Sequence, residues 1–75
     1  MASRELRYSD RALERIDTFM ESQDSRKFNS FFDRLEDLRG RNLEPGHHSW
    51  QGDGYKALIE VDEDGKITVL SIWKI

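Results

Sequence analysis

Tyr55-Lys56-Ala57-Leu58-Ile59-Glu60-Val61, then Asp62-Glu63-Asp64-Gly65, then Lys66-Ile67-Thr68-Val69-Leu70-Ser71-Ile72-Trp73-Lys74-Ile75 is the stretch that decides the fold. Two runs rich in Ile, Val and Leu flank an acidic turn with one glycine, which is the signature of a hairpin. A three-residue loop of Glu63, Asp64 and Gly65, with Gly65 left-handed, predicts the register. Asp62 faces Lys66, Val61 faces Ile67, Ile59 faces Val69, Ala57 faces Ser71 and Tyr55 faces Trp73. One face is then almost wholly apolar, and a slip of one residue scrambles it. The other face carries Lys56, Leu58, Glu60, Thr68, Leu70, Ile72 and Lys74, a mixed surface.

The apolar face needs a cover, and the upstream chain supplies helices. Leu13, Ile16 and Met20, with Ala12 and Phe19 beside them, recur at helical spacing over about residues 10–21. Residues 22–25 break the pattern and offer N-cap candidates in Asp24 and Ser25. Phe28, Phe31, Phe32, Leu35 and Leu38 form the stripe of a second helix, with Gly40 expected just beyond its end. That spacing places the three phenylalanines where a sheet needs covering, so they are read as core rather than as an aromatic interaction motif. The short break between the helices implies an antiparallel hairpin. Alternation in residues 4–8 predicts a short first strand, and residues 47–51 a further one after the Pro45-Gly46 turn. Asp53-Gly54 suits a two-residue turn, whereas Gly52-Asp53-Gly54 suits a longer loop, and the two place Trp50 on opposite faces. The expected architecture is α+β: a two-helix antiparallel hairpin packed on one face of a small, three- to four-stranded antiparallel sheet. Residues 1–75 form one domain.

Composition narrows the function classes. Without cysteine the chain has no disulfide and no thiolate metal site. No run approaches the roughly 18 apolar residues of a membrane span, and the first residues lack the apolar region of an export signal. A cytoplasmic location is therefore expected. Twelve basic against fifteen acidic residues leave a net charge of −3, the opposite of the balance usual for proteins that live on phosphates.

No phosphate-binding glycine loop, HExxH helix or nucleophile elbow is present. His47 and His48 are adjacent, so on a strand they point to opposite faces and do not share a metal. The acidic Asp62-Glu63-Asp64-Gly65 turn lacks the spacing of a calcium loop. Neither a metal nor a cofactor is expected. On the hairpin register Lys56 and Lys74 are diagonal neighbours on the mixed face, joined by His47 or His48 according to the Asp53-Gly54 turn. Lysines beside a histidine could stabilise a phosphorane-like charge and move a proton. Such lysines also keep a sheet edge soluble, the more ordinary role. Trp50, Tyr55, Trp73 and Arg41 are the candidate binding residues.

The order strand, helix, helix, antiparallel strands resembles the RelE/ParE superfamily of bacterial toxins. The likeness is carried by Leu6-Arg7-Tyr8-Ser9 with Ala12-Leu13, by Leu35-Glu36-Asp37-Leu38 with Pro45, and by the two runs 55–61 and 67–72. The C-terminal half is most similar to the YoeB branch. The resemblance implies a toxin of a toxin–antitoxin module, bound by an antitoxin or acting on a target protein. RelE- and YoeB-type members cut mRNA on the ribosome, and ParE-type members inhibit gyrase. Lys56 falls where RNA-cleaving members often carry an arginine, and Trp73-Lys74 where their terminal aromatic and proton-transfer residues lie. The shortened stretch between Pro45 and Tyr55 and the acidic balance depart from that pattern. A non-catalytic inhibitor or regulator on the same scaffold, for example phage-encoded, is the alternative reading.

Overall fold

The computed structural model of the protein describes residues 5–23 and 25–75. Its elements are β1 (Leu6–Tyr8), α1 (Asp10–Met20), α2 (Ser25–Glu36), a 3-10 turn (Asp37–Gly40), β2 (Gly46–Gly52), β3 (Tyr55–Val61) and β4 (Ile67–Lys74). The architecture is the expected α+β one, with helices packed on a four-stranded sheet of order β1-β4-β3-β2. Strands β2, β3 and β4 form an antiparallel meander, while β1 runs parallel to β4. A parallel neighbour requires a crossover, which the two helices provide. Arg4, expected in the first strand, and Asp24, expected as a helix cap, lie outside the described residues.

Both hairpin turns follow from their chemistry. The Asp62 carbonyl accepts from Gly65 N at 3.0 Å, and Asp62 N donates to the Lys66 carbonyl at 3.0 Å. Asp62 Oδ1 also accepts from Lys66 N at 2.8 Å, and Gly65 has φ 86°, so the acidic turn is the three-residue loop expected. At the other turn Asp53 has φ 54° and Gly54 φ 87°, the signature of a two-residue type I′ turn. Trp50 is thereby paired with Ala57, on the helix-covered face.

The β3–β4 register holds from Val61↔Ile67 to Ile59↔Val69 and then shifts. Leu70 is an extra residue, so Leu58 pairs with Ser71, Ala57 with Ile72, Lys56 with Trp73 and Tyr55 with Lys74. This corrects the expected Ala57–Ser71 and Tyr55–Trp73 pairs. Without the bulge, polar Ser71 would face the core and Ile72 the solvent; the extra residue exchanges them. Ile72 is accordingly fully buried rather than part of the mixed face. Ser9 ties this point to the first helix. Its N–H donates to the Val69 carbonyl at 2.9 Å and its hydroxyl to the Leu70 carbonyl at 2.7 Å. The same oxygen accepts from Ala12 N at 3.1 Å, so Ser9 is also the N-cap of α1.

The α2 stripe is buried as expected at Phe28, Phe31, Leu35 and Leu38, with Phe32 partly so. Helix α2 stops at Glu36 and the 3-10 turn carries Leu38 inward, so Gly40 lies in that turn instead of just beyond the helix. In α1 the buried residues are Ala12 and Phe19, with Ile16 partly covered. Leu13 and Met20, expected in the same inward stripe, are 47% and 39% exposed. Each stands about 100° round the helix from its buried neighbour, and α1 turns the Ala12–Phe19 side to the core.

Candidate functional site

The sheet leaves one face without helices, and the registers determine what it displays. Arg7, Thr68, Glu60 and His47 form a row across all four strands. Ser71, Leu58 and Ser49 form the next row, and Trp73, Lys56 and Gln51 the last. His47 Nε2 lies 3.3 Å from Glu60 Oε2 across the β2–β3 pair, and Trp73 is 42% exposed beside Lys56. Arg7 pairs with Glu5 at 3.2 Å at the rim.

The bulge separates the two candidate lysines. Lys56 pairs with Trp73 on the open face, whereas Lys74 pairs with Tyr55, whose side chain belongs to the helix-covered face. They are not the diagonal neighbours that an unbulged register predicts. The type I′ turn assigns His47 to the open face and His48 to the other, where His48 Nε2 donates to the Glu44 carbonyl at 2.7 Å. His47 shares a face with Lys56 but sits at the level of Glu60, four residues further along β3, a separation of roughly 13 Å. Groups that share a proton transfer work at hydrogen-bond reach of the same atoms, and here His47 lies instead against Glu60.

The candidate binding residues also part company. Tyr55 is 1% exposed at the centre of the aromatic core, with ring centroids 5.0 Å from Phe19, 5.2 Å from Phe28 and 5.5 Å from Phe31. Trp50 is half-buried against Phe31 at 5.0 Å. Arg41 is exposed in the connector before β2. Of the three aromatic candidates Trp73 alone is exposed, next to the partly covered Leu58 of the open face. Among the described residues no group of three or more His, Asp or Glu side chains is placed to hold a metal ion. No helix among them is long and apolar enough to cross a membrane.

Leu13 and Met20 escape a reading of spacing alone. Their signal is the row Asp10, Glu14, Asp17 and Glu21, which follows a single helical side next to them. Comparison of the chain with protein-family models, with curated proteins and with solved structures finds no match.

Proposed function

We propose that the protein is a RelE/ParE-like module that acts by binding a partner protein, not by cutting RNA. The observation that carries this reading is the dispersal of Lys56, Lys74, His47 and His48 over two faces of the sheet, with His47 held by Glu60. RNA cleavage by such a scaffold needs a cation for the developing phosphate charge and a proton carrier within reach of the same atoms. The element order strand, helix, helix, meander supports the RelE/ParE-like scaffold. A net charge of −3 supports a protein partner with a basic surface over a polyanion.

The test is inducible expression in bacteria, following growth, mRNA integrity and captured proteins together. Intact mRNA and a salt-sensitive complex with a basic protein are expected. Cut mRNA, restored to intact by Lys56→Ala in a folded protein, would overturn the binding reading in favour of a ribosome-dependent endoribonuclease.

A further inference from the structure

We infer that the outer side of α1 is a docking surface for a basic amphipathic helix of a partner protein, an assignment that rests on the binding reading above. Leu13 and Met20 are seven residues apart and so stand one above the other, two turns along one side of the helix. Both are large apolar side chains left exposed, at 47% and 39%. Immediately round the helix from this ridge runs the acidic row. Asp10, Glu14, Asp17 and Glu21 are all exposed, and among the described residues none has an ion-pair partner. Arg11 and Arg15 lie towards the other side of α1.

Asp10 in the first turn is favourably placed by itself, but the row as a whole works against the helix that carries it. Asp10 with Glu14, and Asp17 with Glu21, are like-charge pairs at i, i+4, and Glu14 with Asp17 is one at i, i+3; each weakens a helix. The last turn of α1 has no basic residue, and Glu21 sits at its C-cap, where the helix dipole is negative. Cations brought alongside would relieve this repulsion while the Leu13–Met20 ridge is covered. A helix suits the ridge, because two turns span about 10 Å, the repeat of anchors at i, i+3 or i+4, and i+7. Lys or Arg flanking those anchors would meet the carboxylates. A second copy of the chain does not fit: an antiparallel two-fold contact sets acid against acid, and a parallel one brings the Ile16 flank, with no cation, against each acidic row. Nucleic acids and anionic lipid surfaces are repelled by the same row.

The probe is a synthetic helical peptide of about 18 residues, long enough to hold a helix, with Leu at successive a and d positions and Lys flanking them. Fluorescence anisotropy should show binding that weakens with salt. Leu13→Ser combined with Met20→Ser, and separately Asp17→Lys combined with Glu21→Lys, should each weaken it by about tenfold or more. A peptide of the same composition with scrambled order should bind comparably weakly. The Asp17→Lys, Glu21→Lys protein should in addition melt a few degrees higher than the parent, which a purely structural role for these carboxylates would not produce. Equal affinity for the scrambled peptide, an unchanged affinity in the Leu13→Ser, Met20→Ser protein, or a lower Tm on charge reversal would overturn the assignment. Those outcomes remove only the surface, whereas cut mRNA on expression removes the binding reading itself.

Discussion

Tyr8 shows how much one atom's surroundings decide. Its ring stacks on Phe32 at 5.8 Å, but its hydroxyl is buried and meets no hydrogen-bond partner among the described residues. Burial, and then the nearby Glu36 carboxylate, push its pKa up to about 12, with Arg39 pulling the other way. The unfolded chain ionises this phenol near 10, while the folded one keeps it protonated to about 12. Any stability that depends on the neutral phenol is therefore complete below pH 10 and lost as pH rises towards 12. Tyr8→Phe removes an orphaned polar group, so at neutral pH the variant should be as stable as the parent or more so, by up to about 1 kcal/mol. Urea titrations at neutral pH and at pH 11 check both statements: the parent should lose more stability than Tyr8→Phe on going alkaline. A variant clearly weaker at neutral pH would reveal a partner for the hydroxyl.

Among the elements, β4 carries the sharpest test, because its bulge decides which of two adjacent side chains is core. Ile72→Ala should destabilise by about 2–5 kcal/mol, as large-to-small changes at fully buried sites do. Trp73→Ala, at a side chain 42% exposed, should lose distinctly less. Denaturation midpoints in the reverse order would restore the unbulged register. The hairpin, its acidic turn and the α2 stripe are legible in the sequence, since turn chemistry and helical spacing are local properties. The bulge is not local. Val69, Leu70 and Ile72 break the alternation visibly, but the contact that ties down the extra residue comes from Ser9, 61 residues away from Leu70. The expected lysine pair fails with the register it was built on. Helix α1 fails for a different reason: Ala12 with Phe19 and Leu13 with Met20 are both seven apart, and spacing cannot say which pair turns inward. The His47 and Trp50 faces needed only the turn type, which Asp53-Gly54 had offered as one of two options.

The whole molecule has a single core drawn from every element except β2, whose half-buried Trp50 packs against it. No second cluster exists among the described residues to sustain a partly folded state. Val69 is fully buried between Tyr8 of β1 and Ile59 of β3. Val69→Asp should therefore abolish the cooperative transition altogether, because an unpaired carboxylate there cannot be solvated or moved aside. A sigmoidal melt like the parent's, followed by circular dichroism, would mean that the buried side of the sheet is assigned wrongly. The parallel pairing of β1 with β4 also sets a time order. In the sheet β1 has β4 as its one neighbour, and closing so long a separation in sequence is entropically slow. Residues 6–8 leave the ribosome unable to make their ladder hydrogen bonds until residues 67–69 have followed them. Within this domain the strand made first is thus secured among the last, and the four-stranded sheet closes only when β4 is in place.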